Sequence, residues 1–357
     1  MKKNTKLPFV SVCTPTFNRR PFYDMLIKCF FSQTYPLERV EWIIVDDGTD
    51  KIEDIVKDIP QVKYYKYDER LNLGKKRNIM HEKSKGDIII YMDDDDYYPP
   101  ERISHAVDML KQSPKALCAG SSAMFIHFKH INKMYQFGPY GPNHSTAATF
   151  AFKKELLKQT RFDEVSCVAE EKKFLKDYTI PFVQLESKKS ILVFSHAHNS
   201  FDKKELLNQG PNPTINETKI SPSEIVKEPE ILKFFMEDID ELLANYEPGK
   251  LENKPDVTKQ LTEIKATREN MIKDHMQKQV EYQNTMQKIQ MMNNPQVVQN
   301  RINELSVIVQ ELNIENNQLK EKIKYLEDKI KKIVLEQIQK KSLEKKIELS
   351  SVGPTVS

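Results

Sequence analysis

Glycine is scarce in this chain, with nine in 357 residues. A G-x-G-x-x-G turn after a first strand would mark a dinucleotide site, and none follows Phe9-Val-Ser-Val-Cys13. The lysine-bearing phosphate loop is missing too, because Gly74-Lys-Lys-Arg77 has no upstream glycine. Phosphates therefore have to be held by a metal and by Lys76 or Arg77. Cys13, Cys29, Cys118 and Cys167 form no C-x-x-C pair and no Cys/His metal spacing, which favours a reducing compartment. No apolar run reaches the roughly 18 residues of a membrane helix. The basic start Met1–Pro8 leads into no signal-peptide core, so Asn143-His-Ser145 and Asn216-Glu-Thr218 read as chance glycosylation sequons. A net charge of +3 gives no argument for nucleic acid as a partner.

What the sequence does have is an acidic run at the end of an apolar one. Ile88–Met92 is short, β-branched and preceded by Gly86, so it reads as a buried strand. Four carboxylates, Asp93 to Asp96, follow at once. Adjacent carboxylates repel, and a hard divalent cation such as Mn²⁺ or Mg²⁺ neutralises them. Acidic runs on loops are ordinarily solvated surface. This one abuts a buried strand, and Pro99 and Pro100 stiffen the chain that leaves it.

Strands and helices alternate around it. Phe9–Thr14, Val40–Val45 and Val62–Tyr67 read as strands, and Arg19–Gln33, Ile52–Ile59, Gly74–Ser84 and Arg102–Lys111 as helices. Short links between them predict right-handed βαβ units and an α/β fold with an open, mainly parallel sheet. Ala116–Phe128 reads as one strand and Glu170–Tyr178 as a helix. Further strands are expected at Thr149–Phe152, Phe182–Leu185 and Ile191–Phe194, the last ending in Ser195-His-Ala-His-Asn-Ser200. The globular domain is expected over 1–208. An exposed linker follows over 209–230, which holds Pro211, Pro213, Pro222 and Pro229. A helical segment then spans 231–297, a coiled coil 298–345 and a disordered tail 346–357.

The coiled coil has the plainest period. Ile302, Val309, Asn316, Ile323 and Ile330 recur every seven residues, each followed three later by Leu305, Leu312, Leu319, Leu326 and Ile333. β-Branched residues at a with Leu at d favour two parallel strands, and Asn316 at an a position fixes the register. Glu315 with Lys320, and Lys322 with Glu327, supply flanking pairs across the seam. A parallel homodimer through Ile302–Ile333 is expected.

Polar clusters end four of the strands: Thr14-Pro-Thr16, Asp46-Asp-Gly-Thr49, Asp93–Asp96 and His196-Ala-His-Asn199. In a parallel sheet the first three leave the same edge and converge on one cleft. Val10–Asn18, Trp42–Thr49, Gly74–Asn78, the aspartate run and Glu170-Glu171, in this order, resemble the family 2 glycosyltransferases of GT-A fold over about residues 8–205. The resemblance implies a nucleotide-sugar donor, a divalent metal and inversion at the anomeric carbon. It puts Thr14, Pro15 and Thr16 along the nucleoside and has Asp47 accept from the base, which favours uracil. Lys76 and Arg77 fall on the diphosphate side. The family's D-x-D falls on Asp93, at the ribose, and Asp95, on the metal, with Asp94 and Asp96 one position away. His196 becomes a further metal ligand, with His198 its competitor. Glu171, or Glu170, is the catalytic base, where the family more often has Asp.

The acceptor, whether glycan, protein or lipid, is not readable, although Phe137-Gly-Pro-Tyr140 and His144 suggest an aromatic sugar-contacting surface. The Lys/Ile/Asn-rich composition and Thr179-Ile-Pro-Phe182 resemble members encoded by large DNA viruses, and a cytoplasmic (host cytoplasm or virion) location is the default expectation. Two other readings compete: a nucleotidyltransferase, which lacks its glycine-rich loop here, and a non-catalytic coiled-coil scaffold carrying a degenerate transferase domain.

Overall fold

The computed structural model describes residues 7–168, 171–208, 212–292 and 295–350. The chain forms two units, Met1–Thr267 and Arg268–Ser357. In the first unit the described strands are β1 (Val10–Thr16), β2 (Val40–Asp46), β3 (Val62–Lys66), β4 (Ile88–Tyr91), β5 (Cys118–Gly120), β6 (Met124–Phe128), β7 (Lys133–Phe137), β8 (Ala151–Lys153), β9 (Phe182–Gln184), β10 (Leu192–Ser195) and β11 (Ile215–Thr218). The larger sheet runs β3-β2-β1-β4-β8-β5-β9 and the smaller β10-β6-β7-β11. β1, β2, β3 and β4 are parallel, as the alternation predicts, and β8 enters antiparallel to β4.

β1, β2 and β4 are buried throughout, and a strand covered on both faces is written as a nearly continuous apolar run. On one face Val12, Trp42, Ile44 and Ile90 join Leu26 and Phe30 of helix Tyr23–Phe31 and Ala106 and Val107 of helix Arg102–Gln112. On the other, Cys13, Ile43, Ile89 and Tyr91 join Met80 of helix Leu73–Lys83 with Phe150, Phe162 and Phe174. Trp42 stacks on Phe30 with centroids 4.5 Å apart. His81 is buried against Tyr91, its Nε2 2.5 Å from the phenol oxygen. Burial pushes its pKa down to about 3, helped by the nearby Arg77 charge.

Four expectations are corrected. The apolar stretch 116–128 is two strands in different sheets, because the chain breaks at Ser121 and Ser122. Their N–H groups donate to the side chains of Thr149 (Oγ1, 2.9 Å) and Gln184 (Oε1, 2.8 Å) instead of to a neighbouring strand's carbonyls. Of the expected linker 209–230, residues 212–230 belong to the fold: β11 pairs antiparallel with β7, and Tyr97 Oη donates to Glu228, while 209–211 lie outside the described residues. Pro222 and Pro229 open short helices, where a missing N–H costs nothing. Residues 231–243 pack onto the domain as well, with Ile231, Phe234, Phe235, Ile239 and Leu243 in its core. Among the described residues of the expected helix 170–178, Glu171–Phe174 are helical, and Lys176, Asp177 and Tyr178 follow in left-handed conformation.

The second unit is helical: helix Pro255–Met292 continues into it, and helix Pro295–Ser350 carries the heptads. That helix includes the first residues of the expected tail, while 351–357 lie outside the described residues. Its a and d side chains face solvent, Val309 at 55% and Leu312 at 57% exposure. No described helix is long and apolar enough to cross a membrane.

Candidate active site

The sheet order reverses at β1, with β2 and β3 on one side and β4 on the other. Ligands of open α/β sheets sit beyond the carboxyl ends of strands at such a switch point. Cys13 pairs with Tyr91, and Met92 N–H donates to Cys13 O (3.2 Å). The Thr14–Thr16 end and the aspartate run therefore leave the sheet side by side. Between them lies a cleft of about 150 Å³ lined by Pro15, Arg19, Arg70, Lys76, Arg77, Asp93, Asp94, Asp95, Lys254 and Asp256, among others.

Some expected residues turn inward. The Thr14 hydroxyl accepts from Trp42 Nε1 (2.9 Å) and donates to Met92 O (2.6 Å), so it fastens β1 to β2 and β4. Thr16 is buried. Asp47 Oδ2 accepts from Leu71 N–H (2.6 Å) and Oδ1 from Lys76 Nζ (2.7 Å), and Lys76 also donates to Thr16 O (3.2 Å). The expected base acceptor and the expected phosphate cation are thus an ion pair with each other. Arg77 is buried with its guanidinium 4.2 Å from the Tyr91 ring and 3.7 Å from Asp93 Oδ2.

The aspartates are neutralised by an arginine that the sequence reading took only for the start of a helix. Asn18, at φ 54°, turns the chain inward; Asn tolerates this left-handed conformation. Arg19 then reaches Asp94 Oδ1 (Nε, 3.4 Å), Asp95 Oδ2 (Nη2, 3.3 Å) and His198 O (2.9 Å). Burial pushes Asp94 and Asp96 up, Asp94 against the pull of Arg19. Burial acts on Asp95 in the same direction, but Arg19 and His196 together hold it well below the usual carboxylate range.

β10 delivers the histidine. Tyr97 and Leu192 exchange backbone hydrogen bonds (3.0 and 2.9 Å), tying the chain just after the aspartates to the smaller sheet. His196 Nε2 lies 3.4 Å from Asp95 Oδ2 and 2.8 Å from Asn199 Nδ2, and its Nδ1 accepts from His198 N–H (3.2 Å). Burial lowers its pKa to about 4, which keeps the ring in the neutral form that ligates metals. The His198 ring lies 6.2 Å from that of Tyr246, and its Nδ1 lies against Gly249. Asp95 and His196 are close enough to share one hard cation whose remaining ligands are water and substrate phosphate. Among the described residues no three His, Cys, Asp or Glu side chains form a metal cage on their own.

Glu170 lies outside the described residues. Glu171 opens its one-turn helix and is not among the residues lining the cleft. Of the expected aromatic surface Phe137 is buried in the core, while Tyr140 and His144 lie near Glu171 together with Tyr178, the Tyr140–His144 and His144–Tyr178 ring centroids being 4.9 and 5.1 Å apart. Burial, and then the Glu171 charge, raises the Tyr178 phenol.

The far side of the cleft comes from residues 246–260. Asn18 Nδ2 donates to Pro248 O (2.9 Å), Tyr246 Oη to Asp50 (2.8 Å) and Arg70 to Asn253 O (2.7 Å). Arg70 also pairs with Asp256 (2.6 Å), and Gln260 Oε1 accepts from Cys167 N–H (2.7 Å). No sequence motif announces this wall.

Residues 11–178 match the profile of Glycosyl transferase family 2. This segment is similar to the family 2 glycosyltransferase domains. An uncharacterised glycosyltransferase of Rickettsia typhi is 32% identical over 113 residues, 31% of this chain and 35% of that protein. One of Haemophilus influenzae is 24% identical over 207 residues, 55% and 79% of the two chains. The poly(ribitol-phosphate) β-N-acetylglucosaminyltransferase TarS of Staphylococcus aureus is 27% identical over 135 residues, 34% and 21%. The chain thus spans about a third or less of the length of the Rickettsia typhi protein and TarS. The solved structure of TarS residues 1–349 with UDP-GlcNAc aligns at TM-score 0.40 and 20% identity, covering 52% of this chain and 58% of that one.

Proposed function

We propose that the first unit transfers a sugar from a UDP-sugar donor to an acceptor hydroxyl, with inversion and with Mn²⁺ or Mg²⁺ as cofactor. The observation that carries this reading is the junction of Asp93–Asp95 and His196 at the sheet's switch point. There Asp95 lines a cleft with five cationic side chains and four carboxylates in all, and His196, buried behind it, lies 3.4 Å from Asp95. That excess of cations suits an anionic donor. The names of the relatives, TarS among them, agree with sugar transfer.

Asp95 and His196 would hold the cation, which when bound would supply Lewis-acid stabilisation of the leaving diphosphate. Asp93 and Pro15 face the nucleoside. The acceptor oxygen attacks the anomeric carbon as its bond to the diphosphate breaks. The proton lost by the acceptor passes to the Glu171 carboxylate, or to that of Glu170, from the side opposite the leaving group. The Tyr140–His144–Tyr178 surface offers the acceptor sugar its apolar face. The exposed heptad seam of helix Pro295–Ser350 pairs two such enzymes as a parallel homodimer through Ile302–Ile333. A monomeric mass in light scattering at micromolar concentration would refute that pairing.

The test of activity is metal-dependent release of UDP from a panel of UDP-sugars, with and without candidate glycan acceptors. Release that needs Mn²⁺ or Mg²⁺ supports the reading. Nucleotide transfer with loss of pyrophosphate, or no donor binding at all, rejects it in favour of a nucleotidyltransferase or a scaffold.

A further inference from the structure

Four of the cations lining the cleft have carboxylate partners: Arg19 with Asp94 and Asp95, Arg70 with Asp256, Lys76 with Asp47 and Arg77 with Asp93. The fifth, Lys254, is 3% exposed and has no carboxylate within ion-pair distance among the described residues. Its ammonium makes one long contact, 3.5 Å to Ser200 Oγ. A lysine buried without a counter-ion is costly, and desolvation, with the Arg19 charge next, pushes its pKa down to about 7. Such a group becomes stable when an anion arrives. Lys254 also lies beyond residues 11–178, in a segment whose two ends are pinned to the loops around the cleft, at Asn18 and Asp50 and at Cys167.

We propose that Lys254 binds the diphosphate of the donor, and that the segment 246–260 is a wall of the donor site which the family domain alone does not contain. This rests on the reading of the cleft as a nucleotide-sugar site. The cleft volume of about 150 Å³ is below the roughly 300–1,000 Å³ of pockets for ligands of that size. The segment therefore yields as the donor enters, and Lys254 closes on the phosphates as their counter-ion. Its contacts suit this motion, since two of the anchors are side-chain bonds to backbone carbonyls.

The test uses the full chain with Mn²⁺ present. UDP binding is measured by calorimetry and uridine binding by ligand-observed NMR, in the wild type and in Lys254→Met and Lys254→Arg. A charge-assisted contact to phosphate corresponds to roughly a tenfold change in affinity or more. Lys254→Met should weaken UDP by that factor and leave uridine unchanged, and Lys254→Arg should recover most of the loss. Unchanged UDP binding in Lys254→Met overturns the proposal while the donor-site reading stands. Equal losses for UDP and uridine also overturn it, because the lysine then merely shapes the cleft. A wild type that binds neither UDP nor UDP-sugars overturns both.

Discussion

The two walls of the cleft are made differently. The strand-end wall is rigid and internally compensated. Asp94 and Asp95 already have Arg19, Asp47 has Lys76, and the backbone beneath is locked by Thr14 and by the β1–β4 ladder. The wall of residues 246–260 has no sheet beneath it and carries a lysine with no carboxylate partner among the described residues. Under the proposed function this difference implies a division of labour: chemistry on the preorganised wall, capture and release on the one anchored by side chains alone.

Substitutions can break that comparison. Asp95→Asn strikes the fixed wall at its centre and should abolish turnover in the UDP-release assay; full activity would remove Asp95 from the site. Glu171→Gln should also abolish turnover while donor affinity stays within about 1 kcal/mol, so a large loss of UDP binding would reassign Glu171 to the donor side. Arg19→Met leaves buried Asp94 without its cation and should lower stability by about 3 kcal/mol in denaturant titrations. Mn²⁺ should restore part of this, whereas a loss indifferent to Mn²⁺ would mean that Arg19 and the metal do not share the carboxylates.

Acidification probes the same wall from behind. The folded pKa of His81, about 3, lies below its unfolded value of about 6.5. The unfolded chain therefore binds the proton first, and the contribution of His81 is complete above pH 6.5 and declines as pH falls toward 3. At pH 5 the decline is about 2 kcal/mol. His81→Gln should flatten the stability-against-pH curve over that range, and an unchanged slope would contradict the assignment. The smallest effect belongs to the other wall. Asp256→Asn loosens its pair with Arg70, one-quarter exposed on each side, and is worth about 1 kcal/mol or less. It should raise the donor KM up to about fivefold with kcat unchanged, and a fall in kcat instead would place that wall in the chemistry.

The strand-end wall was legible because its physics is local. A strand buried on both faces is an apolar run, and its polar end stands next to it in sequence, as Ile88–Met92 stands next to Asp93. The separation of His196 from His198 was not legible, since it depends on the Tyr97–Leu192 bridge between sheets. Thr14 kept its place but not its expected openness, because its hydroxyl is taken up by Trp42 and Met92. Pro222 and Pro229 suggested a linker, yet proline begins helices as readily as it ends them. Lys254 gives no local signal, as one lysine in the polar stretch Lys250–Lys254 whose burial is set by loops far away in the chain. Arg19 had a faint one, in that it directly follows Thr-Pro-Thr-Phe-Asn18 at the end of β1.

The most direct measurement of the central claim is UDP calorimetry on the full chain, with and without Mn²⁺, in the wild type and in Asp95→Asn. The expected result is UDP binding that needs Mn²⁺ in the wild type and is lost in Asp95→Asn. Binding of equal strength without Mn²⁺, or in Asp95→Asn, would contradict a metal-bridged diphosphate at Asp95 and His196.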